Sequence, residues 1–221
     1  MLVDVYGGPQ VQSVRDEWGA VSMWDQMIAE KGVIVFYLDN RGSYFRGHAF
    51  ESVVYHQLGQ IELADQLAGV KYLKSLAYVD PARIGIWGWS YGGTMTLNAM
   101  FNAPGVFKVG ASVAPVSDWK LYDTAYTERY LGRPQDDPEG YRISSPISTV
   151  ANLRGKLLLA QATGDDNVHF ANTSEVLNAL IQAGKYPDKL MLFPGRGHGI
   201  SDVPARIELF RGITEFLLNN L

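Results

Sequence analysis

At 221 residues, with 47% hydrophobic and 19% charged residues, the chain has the size and composition of a single soluble domain with a sizeable core, which excludes disorder. Its net charge of -4 with scattered Lys and Arg argues against nucleic acid as a partner, and no apolar run approaches the roughly 20 residues of a membrane helix. Cysteine is absent, which removes disulfides, thiolate metal sites and a cysteine nucleophile, and Met1 to Val5 lacks the charged-then-apolar order of a signal peptide.

Short apolar runs alternate with longer amphipathic ones, the pattern of an α/β fold with a mostly parallel sheet flanked by helices on both faces. Leu2 to Tyr6 reads as the first strand. Gly7 to Trp18 is irregular, Met23 to Glu30 is helical and Val33 to Leu38 is the second strand. A Gly-bearing segment, Asp39 to Gly59, leads to a helix over Glu62 to Leu76, where Leu63, Leu67, Val70 and Leu73 form one stripe for packing on the sheet. Strands over Arg83 to Trp87 and Lys108 to Val113 bracket a helix over Tyr91 to Phe101. Asp118 to Thr149 is irregular, and the chain closes with strands over Lys156 to Gln161 and Lys189 to Phe193 and helices over Asn172 to Ala183 and Ala205 to Asn219. The three irregular segments all follow strand C-terminal ends, where open α/β sheets place their ligands.

Gly88-Trp89-Ser90-Tyr91-Gly92-Gly93 lies between an apolar run and a helical one, so a buried strand turns abruptly into a helix there. Such a strand-to-helix turn presents a serine hydroxyl above the sheet edge, which makes Ser90 the candidate nucleophile. A serine needs a base to take its proton and a carboxylate to hold that base in the right tautomer. His198 follows the last strand and precedes the last helix, as the chain order Ser, Asp, His requires, whereas His48 and His56 precede the serine and His169 opens a helix. For the carboxylate, Asp165 and Asp166 both follow the fifth strand, and a helix start at Val168 offers either one a capping role. The backbone N–H of Tyr91 supplies one oxyanion donor, and Tyr6, in Tyr6-Gly7-Gly8-Pro9, is the candidate for a second.

The chain resembles the catalytic α/β-hydrolase domain of the prolyl oligopeptidase family of serine peptidases, in its dipeptidyl peptidase IV branch. The matching strings are Asp4 to Pro9, Asp39 to Ser43, Asp80 to Gly85, Gly88 to Gly93, Ala114 to Ser117 with Trp119, Tyr126 to Tyr130, Asp165 to Phe170 and His198-Gly199. This resemblance implies a triad of Ser90, Asp165 and His198 with Tyr6 as side-chain oxyanion donor. It also implies an aromatic box for a proline or alanine, formed by Val116, Trp119, Tyr122, Tyr126 and Val168, with Asn167 on the substrate carbonyl. The implied activity is acyl-enzyme cleavage of peptides after proline or alanine near their N-terminus, without metal or other cofactor. An esterase with the same triad, acting on small esters, is the alternative, and a catalytically silent binding domain is the third reading.

Two departures stand out. Gln161-Ala162 occupies a position where relatives carry His-Gly, which bears on the setting of Asp165. Relatives also carry a β-propeller and strands ahead of the position of Leu2. The expectation is therefore a sheet truncated at its N-terminal strands, belonging either to a fragment of a larger, periplasmic or secreted peptidase or to a minimal cytoplasmic relative. In the second case a homo-oligomer covers the exposed N-terminal sheet edge.

Overall fold

The structure, a computed structural model, describes residues 1–221. Its elements run β1 (Leu2–Asp4), α1 (Met23–Glu30), β2 (Val35–Phe36), α2 (His48–Glu51), α3 (Gln60–Lys74), β3 (Gly85–Trp89), α4 (Tyr91–Asn102), β4 (Val109–Val113), α5 (Thr124–Leu131), α6 (Pro138–Ser144), β5 (Lys156–Ala162), α7 (Ala171–Gln182), β6 (Lys189–Phe193) and α8 (Val203–Asn220). The six strands form one sheet in the order β2-β1-β3-β4-β5-β6, and every neighbouring pair is parallel.

Strand side chains alternate between the two faces, and the strands divide accordingly between two cores. Val3, Ile86, Leu157 and Leu159 join residues of α3, α4 and α7 in one cluster, while Leu2, Trp87, Val109, Leu158 and Ala160 join α1 and α8 in the other. Both faces are therefore covered, and each fully buried Leu or Ile contributes on the order of 1.5–3 kcal/mol. The stripe expected on α3 packs as read: Leu63, Val70 and Leu73 are buried and Leu67 is partly so.

Several expectations are corrected. β1 ends at Asp4, two residues early, although Val5 N–H still reaches Trp87 O at 3.0 Å. β2 shrinks to Val35–Phe36 and β3 runs to Trp89, two residues further than read. The N-terminal strand does not form the sheet edge: β1 pairs on both sides, and the strand at that end of the sheet is β2. Short helices α2, α5 and α6 occupy segments read as irregular. Two of them carry local start signals: Asp123 Oδ1 accepts from Tyr126 N–H at 2.8 Å to cap α5, and Asp137 caps α6 ahead of Pro138. Helix α7 begins at Ala171, after Val168.

Candidate active site

The strand-to-helix turn between β3 and α4 holds Ser90 at φ 60° and ψ −119°, a left-handed conformation that L-residues seldom adopt and that marks stored strain. Glycine is obligatory on both sides because the backbone crosses itself here. A Cβ on Gly88 would lie 2.4 Å from Gly92 O and from Val5 O, and one on Gly92 would lie 2.1 Å from Val5 O. The turn is tied to β4 by Ser90 N–H donating to Val113 O at 2.9 Å. The hydroxyl is thereby presented at the C-terminal end of the sheet, at the first turn of α4.

Ser90 Oγ lies 2.9 Å from His198 Nε2, and His198 Nδ1 lies 2.8 Å from Asp165 Oδ2. An ionised carboxylate only accepts hydrogen bonds, so it fixes the imidazole proton on Nδ1 and leaves Nε2 free to accept the serine proton. The histidine loop is held from below, where Trp89 Nε1–H donates to His198 O at 3.1 Å and the Arg206 guanidinium covers the Trp89 ring at 5.2 Å. Asp165 is 5% exposed and its neighbour Asp166 is exposed, so burial and geometry single out the first aspartate. Its Oδ1 accepts the N–H groups of Asn167 and Val168 at 3.0 and 2.9 Å. Burial alone would raise its pKa, but hydrogen bonding to and charge on His198, with these two amides, hold it below the ordinary carboxylate value. The capping role considered for this aspartate is thus played on a turn ahead of α7 rather than on the helix itself.

The other histidines stand apart from this arrangement. His56 pairs with Asp137 at 2.8 Å, and His48 and His169 are exposed.

Beside the serine, Tyr6, Ser90, Tyr91, Val116, Trp119, Tyr122 and Tyr126 line one pocket. Its rings brace each other: Trp119 and Tyr126 stack at 6.0 Å and 17°, and Tyr122 stands edge-on to Tyr126 at 5.5 Å and 80°. Trp119 is anchored by its Nε1–H on Ser144 O at 2.9 Å, which explains how a residue 1% exposed satisfies its polar atom. Burial, with Tyr122 and Tyr130 nearby, raises the Tyr6 pKa, so its hydroxyl stays protonated and able to donate. Tyr91, as the first residue of α4, has an N–H with no intrahelical acceptor. Asn167 and Val168 are placed differently from the other expected box residues. Asn167 is exposed and accepts from the Tyr122 hydroxyl at 3.0 Å, while Val168 is fully buried behind the wall, its carbonyl bonded to Gln161 at 3.0 Å.

Two residues near the site carry contacts that sequence reasoning missed. Glu62, on α3, is fully buried and accepts the Tyr91 hydroxyl at 2.6 Å, although in the sequence it is only the first residue of a helical run. Gln161, noticed only as a departure, donates to Asp165 Oδ2 at 2.9 Å. No cluster of three or more His, Asp or Glu side chains converges as metal ligands would.

The family model described as the prolyl oligopeptidase family matches residues 20–221. The chain is 37% identical over 223 residues to a protein of Aspergillus fumigatus named probable dipeptidyl peptidase 4, an alignment covering 98% of this chain and 29% of that protein. It is 41% identical over 201 residues to human dipeptidyl peptidase 8, covering 89% of this chain and 22% of the relative. The solved structure of Porphyromonas gingivalis dipeptidyl peptidase 4 superposes with a TM-score of 0.95 at 40% identity, over 100% of this chain and 31% of that one. A putative dipeptidyl aminopeptidase IV of Bacteroides ovatus matches with the same figures. The chain therefore spans less than a third of the length of these relatives.

Proposed function

Because the chain belongs to the prolyl oligopeptidase family, we propose that it is a serine peptidase domain that cleaves peptides after proline or alanine through an acyl-enzyme on Ser90. The observation that carries this reading is the unbroken path from Asp165 through His198 to Ser90, opening onto a pocket walled by aromatic rings. In the proposed reaction Ser90 Oγ attacks the substrate carbonyl while its proton passes to His198 Nε2. Asp165 stabilises the imidazolium that results, and the Tyr91 N–H and Tyr6 hydroxyl hold the oxyanion. Collapse of the tetrahedral intermediate breaks the C–N bond as His198 returns its proton to the leaving amine. Water, deprotonated by His198, then hydrolyses the ester and restores the serine.

The preference for proline follows from the pocket. Proline is rigid and has no N–H to satisfy, so an apolar pocket walled by the packed rings of Tyr122, Tyr126 and Trp119 accommodates its ring without leaving a polar group stranded. In this reading Asn167, exposed and bonded to the Tyr122 hydroxyl, offers its side-chain amide to a substrate carbonyl.

Replacing Ser90 with alanine tests the reading. Hydrolysis of a Gly-Pro p-nitroanilide is expected to fall by a factor of about 10⁶ in kcat with circular dichroism unchanged. Turnover in the folded variant at the wild-type rate would contradict it. Wild-type protein that hydrolyses p-nitrophenyl acetate efficiently and leaves the anilide intact would favour an esterase instead.

A further inference from the structure

Gln161 is 0% exposed at the C-terminal end of β5, four residues ahead of Asp165. All its amide functions are engaged. Its Nε2 donates to Asp165 Oδ2 at 2.9 Å and to Val168 O at 3.0 Å, while its Oε1 accepts from Thr173 Oγ1 at 3.2 Å. Both Nε2 partners are acceptors without a proton to give, so rotating the amide by half a turn would set oxygen against oxygen in a buried site, whereas the Thr173 hydroxyl can serve either atom. The network therefore assigns one orientation. The anchor itself is rigid, because β5 lies inside the sheet between β4 and β6.

The oxygen that Gln161 holds is the same one that receives His198 Nδ1–H. The other carboxylate oxygen is held by backbone amides of the turn. Without Gln161, Asp165 Oδ2 would have His198 as its sole partner, and the side chain could pivot about Oδ1. The strand amide removes that freedom and fixes the direction from which the imidazole is met.

We propose that Gln161 is a positioning residue for the reaction: it locks Asp165 Oδ2 toward His198 and thereby sets the rate of acyl transfer without touching substrate. This rests on the reading of Asp165 and His198 given above. Charged groups on neighbouring elements include the Arg196–Asp202 pair, Arg206 over Trp89 and the exposed Asp166; Gln161 is a neutral donor.

Gln161→Glu keeps the size of the side chain but turns an oxygen toward two acceptors, and Gln161→Leu removes the donor. In both, kcat for the Gly-Pro anilide is expected to drop about tenfold to a hundredfold with KM within about twofold, as loss of a hydrogen bond to a charged group implies. The downfield proton NMR resonance of His198 Nδ1–H, read without substrate, is expected to shift or vanish. Thr173→Val, which frees only the Gln161 carbonyl, is expected to give a few-fold loss in kcat and a smaller shift of the same resonance. Wild-type kcat and an unmoved resonance in the folded variants would overturn the proposal, and Thr173→Val alone decides it if neither Gln161 variant folds. Wild-type protein inert toward the anilide would instead count against the peptidase reading, while the resonance would still report on Gln161.

Discussion

Asp165 and Glu62 are both buried carboxyls within reach of the serine turn, and they are held in opposite ways. Asp165 accepts four hydrogen bonds, from His198, Gln161 and the amides of Asn167 and Val168, and its pKa is held down. Glu62 accepts the Tyr91 hydroxyl on Oε1, while its Oε2 has no hydrogen-bond partner, and burial pushes its pKa up to about 7 against that hydroxyl and the nearby amides of Gly59 and Glu62. Burial alone does not decide ionisation; the donors and charges set against it do. In the proposed reaction the loop after β5 keeps an anion ready for an imidazolium, whereas Glu62, raised to about 7, is part-protonated near neutral pH and braces Tyr91 with less than a full charge.

The largest effect that sharpens this contrast is on Asp165. Asp165→Asn preserves the shape but presents an amide that can fix the wrong imidazole tautomer, and kcat toward a prolyl anilide is expected to fall about 10³- to 10⁴-fold. Activity within tenfold of wild type would mean that the anion is dispensable. Glu62→Gln, by contrast, keeps the acceptor for Tyr91 and is expected to leave kcat within about threefold, so equal losses at the two carboxyls would erase the distinction.

Stability against pH gives the next test, and the two carboxyls predict opposite signs. Asp165, with a depressed folded-state pKa, stabilises the fold above its unfolded value and loses that contribution as pH falls through the folded one. Glu62, raised from 4.5 to about 7, contributes stability that is complete below 4.5 and is lost as pH rises toward 7. Glu62→Gln is therefore expected to gain on the order of 1–3 kcal/mol over wild type at pH 8 and nothing at pH 4, measured by urea unfolding at each pH. A gain at pH 4 alone would reverse the assignment.

A smaller effect of the same sign is expected at Asp4. The single proton of the Tyr37 hydroxyl lies between Asp4 Oδ2 at 2.8 Å and Asp25 Oδ2 at 2.7 Å, so it can serve just one of them at a time. Burial, with Asp25 adding to it against the Tyr37 bond, pushes Asp4 up to about 7. Since Asp4 keeps some exposure, Asp4→Asn is expected to gain about 1 kcal/mol or less above pH 7.

The sheet, five of the eight helices and the order of Ser90, Asp165 and His198 were legible in the chain because they depend on local pattern: apolar runs, helical stripes, and a glycine-flanked serine between strand and helix. The bounds read for helix α1 match the structure, where Ser22 and Asp25 form a capping box at its start. Helices α5 and α6 were hidden by the glycines and prolines around them, although Asp123 and Asp137 marked their starts. Helix α2 is a single turn with Gly47 at its N-cap, too little for any periodicity to show. Glu62 and Gln161 could not be read, because their meaning lies in partners brought together by the fold: Tyr91 is 29 residues from Glu62, and Gln161 works through His198, which is 33 residues beyond Asp165. The choice between Asp165 and Asp166 rested on the family resemblance alone, because a loop sequence carries no periodicity to say which neighbour turns inward.

Covalent labelling reads out the reactivity of Ser90 itself. Folded wild-type protein treated with a fluorophosphonate is expected to gain a single adduct by intact mass, mapped by peptide sequencing to Ser90, with labelling lost in Ser90→Ala and strongly slowed in Asp165→Asn and His198→Ala. A folded protein that takes up no label, or carries it on another residue, would contradict the account.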